Sequence, residues 1–127
     1  MFITPNYGVI CDDIRREDTQ KLILIGVYGR DIRASAMPAT LVLACYANVS
    51  ADDTFSGEIE FRCLIGGKLG AEAKGNLVIG APGNSAIAFP GLPIVVPEPA
   101  ELEFQFRVKG QDWLMITKIS VIDGSSA

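Results

Sequence analysis

The chain has 127 residues, a mass of 13.6 kDa and a formal net charge of -4, from 11 Lys and Arg against 15 Asp and Glu. A length of this order supports one hydrophobic core, so residues 1–127 are read as a single domain. The acidic balance argues against a broad nucleic-acid surface, where cations must meet phosphates. No histidine is present, which removes the commonest general base and the commonest metal ligand, and with them the Ser-His-Asp and Cys-His constellations.

Along the chain, residues 1–6 lack a basic region followed by an apolar run, so no secretory signal is expected and a cytoplasmic location is the reading. Residues 7–11 read as a strand. Asp12 to Asp18 carries one apolar residue, too few for an amphipathic stripe, and reads as a polar loop with at most one helical turn. Residues 22–27 form the next strand. Leu22-Ile23-Leu24-Ile25 does not alternate, so both faces of that strand are expected to be covered. Residues 40–49 read as a strand that ends in the turn chemistry of Ser50-Ala51-Asp52-Asp53-Thr54.

The strongest local signal is period two. Ile59, Phe61, Cys63 and Ile65 alternate with Glu58, Glu60 and Arg62; Leu102, Phe104, Phe106 and Val108 alternate with Glu101, Glu103, Gln105, Arg107 and Lys109. Successive side chains on a strand point to opposite faces, so each run presents one apolar and one polar face. Gly66-Gly67 reads as a hairpin turn. Residues 77–79 and 86–89 flank a turn at Gly80-Ala81-Pro82-Gly83-Asn84. Residues 94–96, between Pro93 and Pro97, read as a short edge strand, because proline cannot sit in a central ladder. Phe89-Pro90 is a candidate cis bond. Gly110-Gln111-Asp112 makes the last hairpin, and residues 113–122 the last strand, with Trp113, Met115 and Thr117 on one face. Residues 124–127 read as a frayed tail.

These eight or nine short strands, with turn signals between them, predict an all-β, single-domain antiparallel β-sandwich, immunoglobulin-like or C2-like in outline. The expected core comprises Val9, Leu22, Leu24, Val27, Leu41, Leu43, Ile59, Phe61, Leu102, Phe104, Phe106, Trp113, Met115 and Ile119. Apolar residues make up 49% of the chain even without glycine, and charged residues only 20%, below the usual ~25%. The surplus goes either to a well-filled core or to an interface between copies, which makes a homo-oligomer or a protein partner the expectation. No apolar stretch reaches the ~18 residues of a membrane-spanning helix.

Cys11-Asp12-Asp13-Ile14-Arg15-Arg16-Glu17-Asp18, followed by Lys21-Leu22 and then Ile25-Gly26-Val27-Tyr28-Gly29, resembles the N-terminal signature of a bacterial family of small, single-domain proteins of unknown function. The resemblance extends over most of the chain, with a later proline-flanked strand and a C-terminal hairpin. It implies one compact domain and brings no activity and no catalytic residue with it.

Four constellations are candidate sites. Asp12, Asp13, Glu17 and Asp18, with Asp52 and Asp53 from a second loop, are the candidate ligands of a Ca²⁺ ion, a hard cation that takes several carboxylate oxygens. Against this, Arg15 and Arg16 lie within the cluster, where they would repel a cation or pair with the carboxylates, and a solvated, self-compensated loop is the preferred reading. Gly26 to Asp31 lacks the lysine and the following helix of a phosphate-cradling loop and reads as a turn or bulge where glycine permits close approach, and Gly66 to Gly70 reads likewise as a hairpin turn. Tyr28, Arg30, Asp31 and Arg33 are a candidate recognition surface, of the residue types favoured at hot spots, or else strand-end decoration. Phe89, Leu92, Ile94 and Val96 belong to the most apolar segment. They are either a self-association surface or a connection with its side chains in the core, and the second reading has the edge.

The three cysteines show no Cys-x-x-Cys spacing and read as buried thiols in a reducing cytoplasm, with a Cys45–Cys63 pairing left open. Without a base beside them they make poor nucleophiles. The functional expectation is therefore a non-enzymatic binding or assembly module that self-associates. The alternatives are a Ca²⁺-dependent binder of ligand or lipid and, third, an enzyme of unidentified class.

Overall fold

A computed structural model describes residues 2–124. Nine strands follow one another: β1 (Ile3–Arg16), β2 (Leu22–Val27), β3 (Asp31–Ala34), β4 (Ala39–Ala51), β5 (Phe55–Ile65), β6 (Lys68–Ile79), β7 (Gly83–Val96), β8 (Ala100–Val108) and β9 (Leu114–Asp123). There is no helix among the described residues, hence none long and apolar enough to cross a membrane. The strands form a four-stranded sheet ordered β2-β1-β4-β7 and a five-stranded sheet ordered β3-β9-β8-β5-β6. All neighbours are antiparallel except β3 and β9, which run parallel. The fold is an all-β sandwich, as the alternation predicts, with one parallel pair in place of a purely antiparallel plan.

The period-two runs explain the layers. On β5 and β8 the apolar set faces inward: Ile59, Phe61, Cys63, Leu102, Phe104 and Phe106 are buried, while the intervening Glu and Arg residues take the outer face. Register sets Phe61 opposite Phe106 and Cys63 opposite Phe104. From the other sheet, Leu43, Cys45, Ala47 and Val49 of β4 close the core. Phe61 and Phe89 stack across the two sheets with ring centroids 4.1 Å apart. The β5–β6 hairpin turns at Gly66 and Gly67, both at positive φ (55° and 85°), the backbone that a two-residue turn matched to strand twist requires.

Several local expectations are corrected. Residues 12–16 are strand, not loop: Asp13 pairs with Ile25 and Arg15 with Ile23, and ladder pairing overrides the poor strand propensity of the acidic residues. β2 is an edge strand, and Ile23 and Ile25 are about two-fifths exposed on its outer side, where the expectation was cover on both faces. Residues 94–96 do lie on an edge strand, but as the end of the long β7. The cis bond is Met37–Pro38, not Phe89–Pro90.

The core list fails at the end of the chain for one reason. Phe104 pairs with Thr117 but Gln105 with Met115, so Ile116 is an extra residue in β9. This bulge reverses the phase of the strand. Ile116, Ile119 and Val121 point inward, whereas Met115 is half exposed and Trp113 lies on the outer, polar face. Val27 is also exposed, beyond the positive-φ Gly26. Gly124 donates its N–H to the Ala34 carbonyl at 2.8 Å and is therefore tied to β3. Residues 125–127, the rest of the expected frayed tail, lie outside the described residues.

Candidate interaction surface

The structure separates the sequence-derived candidates. Phe2 N donates to Asp52 Oδ1 at 2.8 Å, which fixes Asp52 beside the start of β1. Asp12 is ten residues further along the same strand, roughly 33 Å away at ~3.3 Å per residue, so the two acidic loops cannot share an ion. Three more carboxylates of the set are engaged locally: Asp13 with Arg15 (3.1 Å), Asp53 with the Thr54 N–H (2.7 Å), and Glu17 with the Thr19 hydroxyl (3.2 Å). Asp18 is exposed in the β1–β2 turn. Among the described residues no group of three or more Cys, Asp or Glu side chains could hold a metal ion. The Ca²⁺ set is thus corrected to separate, locally paired carboxylates.

Asp12 has a different task. Tyr28 donates its hydroxyl to Asp12 Oδ1 at 2.7 Å, and Gly26, at φ 69°, lies so close that a Cβ there would overlap the same carboxylate. Glycine is therefore required by both backbone and space. The bond to a carboxylate, then burial, then the Asp12 charge, push the Tyr28 phenol from 10.0 up to about 12. The folded-state value lies above the unfolded one, so this contribution to stability is complete below about pH 10 and is lost as the pH rises through about 12. Melting temperature should therefore fall more steeply between pH 10 and 12 in the wild type than in Tyr28→Phe; parallel curves would contradict the assignment. Arg30 is exposed, and Arg33 reaches Asp31 at 3.8 Å on β3. The four residues of the candidate recognition surface thus divide between a buttress at Tyr28 and an edge-strand ion pair.

Phe89, Ile94 and Val96 are buried and Leu92 is half-buried, so of the two readings of this segment the favoured one, side chains in the core, holds and the self-association surface does not. The cysteines are free and buried. Burial pushes all three thiols up, Cys63 to about 12, which suppresses the thiolate at neutral pH.

The surface that sequence reasoning missed is the outer face of the four-stranded sheet. Register places Ile23 and Ile25 of β2, Tyr7 of β1, Val42 of β4 and Val95 of β7 on it, and Val27 lies beside them at the end of β2. Each is exposed, Val42 and Val95 at 58%. Tyr46 stands next to Tyr7, with ring centroids 6.2 Å apart. Polar groups share the face. At one end Asn6 Nδ2 donates to Asn48 Oδ1 (2.8 Å) and Ser50 Oγ donates to Asn84 Oδ1 (2.9 Å). The Asp13–Arg15 pair lies among the apolar side chains, on β1 directly beside Ile25 and Ile23 of β2. Exposed apolar side chains interspersed with an ion pair and hydrogen-bonded polar groups are a composition that protein interfaces also show.

The outer face of the five-stranded sheet is its opposite. Glu58 pairs with Lys109 (3.1 Å), Glu60 with Arg107 (3.4 Å) and Glu103 with Lys118 (3.6 Å). Arg62 Nε donates to Gln105 Oε1 at 2.6 Å. The Arg62 and Arg107 guanidinium carbons lie 4.0 and 4.4 Å from the Trp113 ring centroid, a cation–π cluster that buries part of the tryptophan outside the core. Ion pairs dominate this face, with Val78 and Met115 exposed among them.

No protein-family model and no curated protein sequence matches the chain.

Proposed function

We propose that this protein is a non-enzymatic assembly module that pairs with a second copy of itself through the outer face of the four-stranded sheet. One observation carries the reading: the two outer faces of one small sandwich differ, one exposing apolar side chains from all four of its strands, the other dominated by ion pairs. An exposed apolar patch marks an interaction site. Only one face can take part, so a copy-to-copy contact uses the same patch on both partners and closes at two subunits instead of growing into a filament. Cover from a second copy also accounts for the unalternating Leu22-Ile23-Leu24-Ile25. In the isolated chain its outer side chains have no neighbouring layer; in the dimer they face another sheet.

No base–nucleophile pair accompanies the buried thiols, which favours a binding role over catalysis. Free cysteines suit a reducing compartment, so a cytoplasmic setting belongs to the proposal. The resemblance to a bacterial family of uncharacterised single-domain proteins is kept with it and supplies no activity.

Native mass spectrometry over a dilution series tests the reading. The wild type should give a dimer at high micromolar concentration. Val42→Glu should remain folded by circular dichroism and weaken the dimer by roughly a hundredfold or more, since an unpaired charge buried at an interface costs about 3–5 kcal/mol. A wild type that stays monomeric at the highest concentration, or a Val42→Glu dimer of unchanged affinity, would overturn it.

A further inference from the structure

A second feature lies at a sheet edge, away from the apolar face. The five-stranded sheet ends on β6, so one row of its backbone N–H and C=O groups has no neighbouring strand. An open edge is a template for another strand. The other three edges are blunted: β2 and β3 are six and four residues long, and β7 carries Pro90 and Pro93. β6 spans twelve residues, contains no proline and is exposed over most of its length. Its ladder with β5 slips between Cys63 and Leu64, which leaves Gly70 as an extra residue, and runs regularly from Ala71 onward.

Charge identifies the occupant. Glu72 stands opposite Arg62 and Lys74 opposite Glu60, so both lie on the outer face of the sheet. Their neighbours are already engaged, Arg62 with Gln105 and Glu60 with Arg107. Glu72 and Lys74 are exposed, and neither has an ion-pair partner among the described residues. Two residues in an antiparallel pair aim their backbone groups alike, so a strand that pairs with its own copy about a twofold axis must centre on a residue that faces itself. Centred on Ala73, a ladder from Ala71 to Gly75 sets Glu72 opposite Lys74 of the second copy, and Lys74 opposite its Glu72. Centring on Glu72 or Lys74 puts like charges face to face, and centring on Ala71 or Gly75 gives neither charge its opposite. With Ala73 at the centre, one row across both sheets alternates in sign: Arg107, Glu60, Lys74, then Glu72 and Arg62 of the second copy. Lysine alone on an edge repels a copy; lysine two residues from glutamate attracts one in this register. We infer that β6 pairs antiparallel with β6 of a second copy about Ala73 and joins the two five-stranded sheets.

This contact uses a different surface from the apolar face and is the weaker of the two, because a short exposed ladder only exchanges hydrogen bonds with water for hydrogen bonds with a strand. It forms at millimolar protein. Through the face alone assembly stops at two subunits; the edge links such dimers. The experiment removes the face contact with Val42→Glu, or with Val95→Glu should the first misfold, and follows sedimentation equilibrium at millimolar protein. This parent chain should still pair. Adding Lys74→Glu, or instead Glu72→Lys, should weaken the pairing about tenfold or more, because both ion pairs become like-charge pairs. An equimolar mixture of the two charge variants should regain it, since each then offers the other opposite charges at both positions. Isotope labelling of one variant identifies the mixed pairs by native mass spectrometry. A parent chain that stays monomeric, charge variants that pair as well as their parent, or a mixture that fails to regain pairing would each overturn the inference. The face contact is removed from every sample, so these results stand whether or not the wild type pairs through its face.

Discussion

Phe104→Ala is expected to lower the unfolding free energy by about 3–5 kcal/mol, measured by chemical denaturation. Phe104 is fully buried, packs 6.0 Å from the Phe61 ring and lies opposite Cys63 and Thr117 in the two ladders that flank it. Truncation removes the transfer energy of the ring and leaves a void between two rigid strands that cannot close on it. Against a typical stability of about 5–15 kcal/mol for a small domain, this loss consumes a large share of the total. The control is its neighbour. Glu103 is on the outer face, where it accepts a hydrogen bond from Gln105 and faces Lys118 at 3.6 Å, so Glu103→Ala should cost only about 0.5 kcal/mol. Equal effects at the two positions would show that the faces are misassigned.

Gly8→Val should cost about 1–3 kcal/mol or more through overpacking. Gly8 faces inward on β1, and a Cβ there would overlap Ile116 and come within 3.2 and 3.3 Å of the Thr117 side chain on β9. The two sheets meet at this point because one of them carries no side chain. The register shift at Ile116 falls at this same contact. Ile116→Ala should therefore recover part of the Gly8→Val loss, so that the double variant is less destabilised than the sum of the singles. Strict additivity would place the strain elsewhere. Gly29→Ala, with nothing within 4 Å of its Cβ, should stay within about 0.5 kcal/mol of the wild type.

The strands that were legible in the sequence were those whose information is local. Alternation in residues 59–65 and 101–109 fixes both strand and face, because the period of two is a property of the pleat alone. The glycine pair at 66–67 fixes the hairpin for a comparable reason: its positive φ is required wherever the strands go. What was not legible depends on a partner element. The phase of β9 reverses at Ile116, and only its pairing with β8 shows it, so simple alternation puts Trp113 and Met115 on the wrong face. The acidic end of β1 is held as strand by β2, against its own propensities. The parallel pairing of β3 with β9 joins segments almost ninety residues apart in the chain, beyond any local pattern.

The acidic candidates come apart for a physical reason. Asp12, Asp13 and their neighbours cluster in sequence, but a strand spreads consecutive side chains over two faces and carries Asp52 to its far end, so chemistry-bearing residues adjacent in the text part company in space. Phe89, Ile94 and Val96 signalled a sticky segment correctly, and the core absorbed it. The apolar sheet face, by contrast, is assembled from one or two residues on each of β1, β2, β4 and β7. Its single trace in the sequence is the unalternating Leu22-Ile23-Leu24-Ile25, which states that both sides of β2 want cover without saying what provides it.

The most direct measurement of that cover is a concentration series of backbone NMR spectra on uniformly labelled protein. The account predicts that dilution from high to low micromolar concentration shifts or sharpens the amide signals of Tyr7, Ile23, Ile25, Val42 and Val95, while those of Glu60, Arg62 and Gln105 on the opposite sheet stay in place. Concentration-independent spectra, or changes confined to the charged face, would contradict it.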